Sequence, residues 1–307
     1  MQKKYIIGID LGGTNLKIAL LDLDFRFKAK EFHPTGNFSS RKVLTAKIAG
    51  AAMQIIKDNK LEKKDILGIG LGLPGPIDVE RGVVHFFPNI PGWINVPLRT
   101  FLEKMTGIPV FIDNDANLMC LAEYKLGAAK GALNAVCLTL GTGVGGGLII
   151  EGKLFRGSSF AAGEIGHMPI NEKGPACGCG GTACLESYIG NRRIAASIKK
   201  IFKKDIPLEE VSRMAEKNNQ KAIKVWEDVG GKLGLALAGV VNLLNPDRIV
   251  IGGGVAEAGE VLFSKVAETI ISRAMVVQAK KVKVFKAKLG NDAGMLGAAL
   301  LVKEQLG

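Results

Sequence analysis

One local pattern occurs twice in the chain and limits the folds that the chain can adopt. An apolar strand enters a turn of glycine and threonine and a second apolar strand leaves it, first around Gly12 and again around Gly141, 129 residues later. Two related hairpins at this separation predict a duplicated α/β unit whose two similar halves face each other. Two unrelated hairpins with glycine turns are the alternative interpretation.

The segments around the hairpins favour a mixed α/β architecture. Helical patterns occur at four places: 44–56, 116–126, 220–244 and 293–304. Further strands are expected at four places: 65–73, 110–112, 248–251 and 281–287. We expect an N-terminal domain over 1–112, joined by the terminal helix at 293–307, and a C-terminal domain over 113–292.

The composition excludes several classes of protein. Of 307 residues 47% are hydrophobic, too many for a disordered chain, and the 40 glycines lack the Gly-X-Y period of a fibrous protein. Only 6% are aromatic, which argues against a platform for single-stranded nucleic acid. The net charge of +12 comes from scattered lysines, so we expect solvated faces and an anionic substrate, and no nucleic-acid partner.

The chain shows no sign of a membrane span or of export. The longest uncharged run, 131–150, contains six glycines, so we interpret it as strand–turn–strand and expect no membrane partner. No signal peptide is recognisable, and the five cysteines suit a reducing compartment. We therefore expect a cytoplasmic protein.

Both turns offer groups that bind phosphate. Gly12-Gly13-Thr14 and Gly141-Thr142-Gly143 each present lightly shielded backbone N–H groups and a threonine hydroxyl. Two such turns in corresponding places of a repeat favour a nucleotide held between the halves. Asp10 ends the strand before the first turn, where its carboxylate would hold Mg²⁺ against the phosphates or serve only to form the turn.

The strongest local motif is a cluster of metal-ligating residues. His167, Cys177, Cys179 and Cys184 lie within 18 positions, and the glycines among them let the chain turn tightly. One imidazole and three thiols form a ligand set for tetrahedral zinc, and four protein ligands predict a structural ion rather than a catalytic one. Free cysteines beside an unrelated histidine are the alternative.

Three carboxylates are candidates for acid–base or ligand-binding roles. Asp115 stands at the expected start of a helix, where the helix dipole favours the ionised form. It could accept a proton from a hydroxyl, or it could only cap the helix. Glu164 and Glu186 flank the metal cluster, and two carboxylates fixed in this way suit a ligand rich in hydroxyl groups.

Taken together, these motifs resemble the ROK family of sugar kinases and sugar-responsive repressors over nearly the whole chain. Asp10-Leu-Gly-Gly-Thr14 and Leu140-Gly-Thr-Gly-Val-Gly-Gly-Gly147 resemble its two phosphate motifs, and Gly252-Gly253-Gly254 resembles its adenosine motif. The stretch from Glu164 to Glu186 resembles its zinc-and-sugar signature, with Ala183 in place of the usual glycine. The fold implied is the actin-like (ribonuclease H-like) ATPase fold, with two similar α/β domains around a cleft.

The resemblance also implies a role for each candidate residue. Asp115 matches the catalytic aspartate. The positions that match sugar-binding residues are Asn89, Asn114, Asp115, Glu164, His167 and Glu186. ATP and Mg²⁺ would be held by Asp10, the two turns and the glycines at 252–254, and structural Zn²⁺ by His167 and the three cysteines.

We therefore expect an ATP-dependent hexose kinase that phosphorylates a 6-hydroxyl, with glucose converted to glucose 6-phosphate. A kinase for N-acetylmannosamine, fructose or allose is the alternative among enzymes. A sugar-sensing regulator is less favoured, because family repressors carry a helix-turn-helix ahead of the first phosphate motif, which begins here at Asp10. A binding module without catalysis is disfavoured because Asp10, Thr14, Asp115 and Thr142 are all present. The resemblance implies a homo-oligomer, either a dimer or a tetramer.

Overall fold

A computed structural model describes residues 4–12, 15–34, 40–87 and 93–307 of the chain. The strands in these ranges are β1 (Tyr5–Leu11), β2 (Asn15–Asp22), β3 (Phe27–Pro34), β4 (Ile66–Leu73), β5 (Ile77–Asp78), β6 (Val83–Phe86), β7 (Ile94–Val96), β8 (Val110–Asn114), β9 (Ala135–Leu140), β10 (Val144–Ile150), β11 (Lys153–Phe155), β12 (Arg248–Gly252) and β13 (Lys283–Lys286). The α-helices are α1 (Arg41–Asp58), α2 (Leu98–Thr106), α3 (Asp115–Leu126), α4 (Glu186–Ile189), α5 (Asn191–Phe202), α6 (Leu208–Glu216), α7 (Gln220–Leu244), α8 (Glu260–Arg273), α9 (Val276–Lys281) and α10 (Ala293–Leu306).

Two five-stranded sheets repeat one topology. The strand order is β3-β2-β1-β4-β8 in the first sheet and β11-β10-β9-β12-β13 in the second. In each sheet three consecutive strands pair antiparallel and two later strands join in parallel. The repeated hairpin predicted from the sequence is confirmed, because β1–β2 and β9–β10 hold the same places in their sheets. A small third sheet has the order β5-β6-β7.

The chain forms two compact units. One contains Met1–Ala122, Arg156–Ala162 and Asn291–Gly307, and the other contains Glu123–Phe155 and Gly163–Gly290. The domain boundaries predicted from the sequence, after residues 112 and 292, stay predictions. In the ranges that the structure describes, none of the helices combines the length and the apolar character needed to span a membrane.

The first sheet is covered closely by the terminal helix α10. Strands β1 and β4 are buried along nearly their whole length, as expected for strands that are packed on both faces. An added Cβ at Gly8 would lie 2.1 Å from the carbonyl oxygen of Met295, and one at Gly70 would lie 1.9 Å from that of Ala298. Helix and sheet therefore meet backbone to backbone, which only glycine permits.

A buried carboxylate organises a loop of the second unit. Glu123 is fully buried, and its two carboxylate oxygens accept the N–H groups of Ala128 (2.7 Å), Lys288 (2.9 Å) and Leu289 (2.8 Å). Three charge-assisted hydrogen bonds compensate the cost of burying the charge. They fix the segment that leads from β13 toward α10.

The expected boundaries are confirmed for the long helix and shifted for one strand. Helix α7 spans Gln220–Leu244 as predicted, because the Asn219 side chain accepts the N–H groups of Lys221 and Ala222 at its start and Asn245 ends it with a φ of 45°. The strand expected over 281–287 is shorter, since Lys281 ends α9 and β13 covers only Lys283–Lys286. Alternation over so short a run does not separate a helix end from a strand.

A substitution at Gly70 tests the close packing of α10 against the first sheet. We expect Gly70→Ala to lower the free energy of unfolding by about 1–3 kcal/mol, because the methyl group has to displace the Ala298 backbone. Urea unfolding measures the change.

Gly50→Ala is the matched control for this prediction. Gly50 lies exposed in α1 with no atom within 4 Å of an added Cβ, so alanine there should stabilise the helix by about 0.5–1 kcal/mol. If Gly70→Ala were as stable as the unaltered protein, the close contact would be wrong.

Candidate functional site

Two carboxylates lie at one edge of the first sheet. Strands β1, β4 and β8 run in parallel, so their carboxyl ends meet at what we call the first edge. Asp10 is paired in register with Gly72 of β4, and its Oδ2 lies 3.1 Å from Nζ of Lys17. A Cβ at Gly72 would lie 3.6 Å from the Cα of Asp115. Asp10 and Asp115 therefore both lie at the first edge, on either side of the end of β4.

The junction between β8 and α3 places Asn114 and Asp115. The strand runs directly into the helix, with Asp115 as the first helical residue. Oδ1 of Asn114 accepts the N–H groups of Ala116 (2.9 Å) and Asn117 (3.3 Å), so Asn114 caps the helix. Asp115 is itself the first residue of the helix, and its Oδ1 accepts the adjacent Ala116 N–H at 2.9 Å. The capping role considered for Asp115 therefore belongs to Asn114.

The residue before this junction forms a buried ion pair. Asp113 is 1% exposed, and its Oδ2 lies 2.8 Å from Nε and 2.7 Å from Nη2 of Arg156. Its Oδ1 accepts the Asn114 N–H at 2.7 Å and the Asn117 side-chain amide at 3.1 Å. The bidentate pair satisfies the buried charge and holds the backbone of Asn114 in place.

Sequence reasoning missed Asp113 and Arg156 as residues of the site. They lie 43 positions apart and form no local sequence motif. The available signal was an aspartate inside a buried apolar strand, because such a carboxylate needs a cation or several hydrogen-bond donors.

A second edge forms in the second sheet, at the carboxyl ends of the parallel strands β9 and β12. The second turn, residues 141–143, follows β9, and Gly252-Gly253-Gly254 closes β12. Gly253 has a φ of +85°, and a Cβ there would lie 2.2 Å from the carbonyl oxygen of Leu140. The predicted adenosine motif therefore lies directly against the end of β9, next to the second turn.

Glu186 also lies at the second turn. Its Oε2 accepts the Val144 N–H at 2.9 Å and would lie 2.5 Å from a Cβ at Gly143. Among the described residues, no hydrogen-bond acceptor pairs with the N–H groups of Thr142 and Gly143. These two N–H groups are the ones that a phosphate could bind.

The four predicted metal ligands come together. The ligand atoms of His167, Cys177, Cys179 and Cys184 all lie within 4.8 Å of one another. Sγ of Cys177 is 3.6 Å from Nδ1 of His167, and Sγ of Cys179 is 3.7 Å from Sγ of Cys184. Tetrahedral zinc requires about 3.6 Å between sulfur and nitrogen and about 3.8 Å between two sulfurs, given its usual bond lengths. The residues present therefore fit a zinc ion.

The thiols of the cluster differ in their surroundings. Burial disfavours the Cys177 thiolate, but hydrogen bonds from Cys179, Ser187 and His167 outweigh burial and lower the pKa of Cys177 to about 7. Burial, followed by the neighbouring thiols of Cys179 and Cys177, raises the pKa of Cys184 to about 12. Thiolates this close repel one another, and a metal ion bound by them supplies the compensating positive charge.

His167 lies between the other metal ligands and Glu164. While Nδ1 of His167 faces Cys177, its Nε2 lies 3.9 Å from Oε2 of Glu164. Glu164 itself is exposed. The two ring nitrogens therefore face different partners, so metal ligation leaves Nε2 available to a second ligand.

Three predicted site residues, Gly13, Thr14 and Asn89, lie outside the described residues. Of the first turn the structure describes Gly12, whose N–H donates to the carbonyl oxygen of Asn15 at 3.0 Å.

Comparison with known proteins gives consistent results. A model of the ROK family matches residues 6–305. A glucokinase from Halalkalibacterium halodurans is 37% identical over 320 aligned positions that cover 99% of this chain and 97% of that protein. The chain belongs to the ROK family.

Two further similar proteins differ in their function. The crystal structure of a ROK family glucokinase from Streptomyces griseus, in complex with glucose and AMPPNP, has a TM-score of 0.85 at 29% identity and covers 98% of this chain and 99% of that one. A xylose repressor from Caldicellulosiruptor bescii is 32% identical, with 97% of this chain and 77% of the repressor covered. The chain has the actin-like, ribonuclease H-like fold of the ROK sugar kinases.

Substitution of Arg156 tests the buried ion pair in this ROK protein. Arg156→Met leaves the Asp113 carboxylate buried without its cation, so we expect the free energy of unfolding to fall by about 3–5 kcal/mol. The double variant Asp113→Asn/Arg156→Met removes both charges and should lose less. Urea unfolding of both variants measures this, and a double variant less stable than Arg156→Met alone would contradict the account.

Proposed function

We propose that this chain is an ATP-dependent hexose kinase that converts glucose to glucose 6-phosphate. The observation that carries the proposal is the first edge, where Asp10 of β1 and Asp115 at the start of α3 lie on either side of the end of β4. In parallel α/β sheets, ligands bind outside the carboxyl ends of the strands. The ROK glucokinases of similar sequence and fold support the same assignment.

Asp115 is the proposed general base. It accepts the proton of the sugar 6-hydroxyl while that oxygen attacks the γ-phosphorus of ATP, and the bond from the γ-phosphorus to the β–γ bridging oxygen breaks. The sugar phosphate and ADP are the products. The position at the N-terminus of α3 favours the ionised carboxylate that this step needs.

Asn114 at the first edge would help to orient the sugar. The side-chain amide of Asn114 donates one N–H to the carbonyl oxygen of Gly75 at 3.2 Å. An amide nitrogen carries two hydrogens, so the second can donate to a sugar hydroxyl. We assign Glu164, Nε2 of His167 and Glu186 to the same ligand, as the resemblance implies, together with Asn89.

The second edge is the proposed site of the ATP phosphates. The N–H groups of Thr142 and Gly143 would donate to phosphate oxygens, and Gly252-Gly253-Gly254 would border the adenosine, as the family motif implies. Gly12, Gly13 and Thr14 would bind phosphate from the first turn.

Asp10 fits a role in holding Mg²⁺. One carboxylate together with substrate phosphates is a common ligand set for Mg²⁺, and the nearby Lys17 ammonium keeps the Asp10 side chain in place. When bound, Mg²⁺ would neutralise phosphate charge.

We infer that the cluster of His167, Cys177, Cys179 and Cys184 holds a structural zinc ion. The ligand distances given above support this, and the ion would brace the segment that carries Glu164, His167 and Glu186.

We further propose a homo-oligomer that binds no nucleic acid. Exposed apolar side chains support self-association, and they lie on the contacting helices α7, α8 and α9 and on the link between α8 and α9: Leu243, Ile271, Met275, Val276 and Val277.

A sugar-sensing regulator is the second candidate, because the xylose repressor named above is 32% identical over nearly the whole chain. Turnover decides between the two, since a regulator need not transfer phosphate. Other hexoses and N-acetylmannosamine remain alternative substrates within the kinase proposal.

Asp115→Asn tests the general base. We expect kcat for glucose phosphorylation to fall by at least about 10²-fold while glucose affinity changes far less, because asparagine cannot take the proton. The helix cap should survive, since it is formed by Asn114. Steady-state kinetics, glucose binding and melting temperature are measured on one preparation.

The control for this variant is Asp24→Asn, which removes an exposed carboxylate from the β2–β3 turn, at the end of the sheet opposite the first edge, and should leave turnover unchanged. A folded, glucose-binding Asp115→Asn protein that turns over within a few-fold of the unaltered enzyme would show that Asp115 is not the base.

Zinc content tests the metal assignment. We expect about one zinc ion per chain by elemental analysis, and its loss in Cys179→Ser, because three ligands bind the ion more weakly than four. Cys120→Ala removes a buried cysteine of α3 and should retain zinc. A fully active protein without metal would refute the structural role.

A further inference from the structure

Glu186 occupies a position that its expected role as a sugar ligand does not explain. It is the first residue of α4 and follows the metal ligand Cys184 by two positions. Its Oε2 accepts the Val144 N–H at 2.9 Å, and the same oxygen fills the space that a side chain at Gly143 would occupy. The carboxylate is therefore seated against the second turn (residues 141–143).

The residues after Glu186 hold the same turn at two more points. The Asn191 N–H donates to the carbonyl oxygen of Gly141 at 2.9 Å. A Cβ at Gly190 would lie 3.0 Å from the carbonyl oxygen of Thr142, so the backbones are in close contact there. The segment 186–191 thus contacts the turn at Gly141 and Thr142 and also contacts the adjoining Val144, and it leaves the Thr142 and Gly143 N–H groups for a ligand.

We propose that Glu186 is a positioning residue for the nucleotide. It fixes the backbone of the second turn, whose N–H groups bind the phosphates. The inference rests on the proposed kinase function and adds to the sugar role of Glu186. By accepting the Val144 N–H, Oε2 fixes the direction in which the neighbouring N–H groups of the turn point. Pre-organised N–H groups bind an anion without an ordering cost at the moment of binding.

The carboxylate has two oxygens, which allows one residue to serve both substrates. Oε2 bonds the turn, and Oε1 is the oxygen that a sugar hydroxyl can reach without breaking that bond. A bound sugar that restrains the Glu186 side chain restrains the turn as well. Because coupling between two ligands is reciprocal, ATP then tightens sugar binding by the same factor as sugar tightens ATP binding.

Backbone hydrogen bonds connect the metal cluster to segment 186–191, and through it to the proposed nucleotide site. The Ser187 N–H donates to the Cys184 carbonyl oxygen, and the Leu185 N–H donates to that of Met168, each at 2.9 Å. These bonds tie α4 to a metal ligand on one side and to the residue after His167 on the other. Loss of zinc should therefore weaken nucleotide binding even in the absence of sugar.

The test is the dissociation constant of AMPPNP, measured by titration calorimetry without sugar. We expect Glu186→Ala to raise it on the order of 10-fold, the effect of one charge-assisted hydrogen bond. Glu186→Gln should bind AMPPNP at least as tightly as the unaltered protein, because its amide oxygen can accept the Val144 N–H and it carries no charge to repel phosphate. This pair of variants separates the hydrogen bond from the charge.

Two further variants complete the design. Glu186→Asp keeps the charge but is one methylene shorter, so it should weaken AMPPNP binding as Glu186→Ala does. Glu164→Ala removes the other proposed sugar carboxylate, which has no contact with the turn among the described residues, and should change AMPPNP affinity by less than about 2-fold. Zinc content and melting temperature of each variant verify that it is folded.

The outcomes distinguish this inference from the proposed function. If Glu186→Ala and Glu186→Asp bind AMPPNP as tightly as the unaltered protein, Glu186 does not position the turn, while the kinase proposal stands. If Glu164→Ala weakens AMPPNP as much as Glu186→Ala does, the effect is not specific to the turn and the inference fails. If the unaltered protein binds no AMPPNP, the proposed function fails and the inference with it.

Discussion

Carboxylates that accept main-chain N–H groups hold the loops of the candidate site. Asp113 fixes the backbone of Asn114, Glu186 fixes that of Val144, and Glu123 fixes the segment after β13. Loops at the ends of strands otherwise leave N–H groups without partners, and an unpaired buried N–H destabilises the fold. The same bonds that satisfy these groups set the directions of the side chains next to them, on which the proposed chemistry depends.

The carboxylate bonds to main-chain N–H groups fix a different kind of element at the edge of each sheet. At the first edge the fixed element is the start of α3, which places Asp115 across the end of β4 from Asp10, and this arrangement suits the proposed proton transfer near a charged phosphate. At the second edge the fixed element is a glycine turn, and it presents N–H groups, which suit phosphate oxygens. In the proposed mechanism, the two copies of one strand arrangement would therefore supply the base at one edge and the anion site at the other.

Much of the fold could be predicted because it follows from local patterns. The repeated hairpin predicted two sheets of one topology, and the spacing of His167 and the three cysteines predicted their cluster. The contacts that position the site could not be predicted in this way. Arg156 and Asp113 lie 43 positions apart and Glu186 and Val144 lie 42 apart, so only the packed fold brings them together. Such pairs leave no periodicity in the sequence.

The most direct test of the account is the release of ADP by the unaltered protein with ATP and Mg²⁺ across a panel of sugars. The panel contains glucose, fructose, allose and N-acetylmannosamine, and the position of the new phosphate is determined on each product. The account predicts the highest kcat/KM with glucose and a phosphate on the 6-oxygen. Absence of ADP release with every sugar, from protein that is folded and carries zinc, would contradict it.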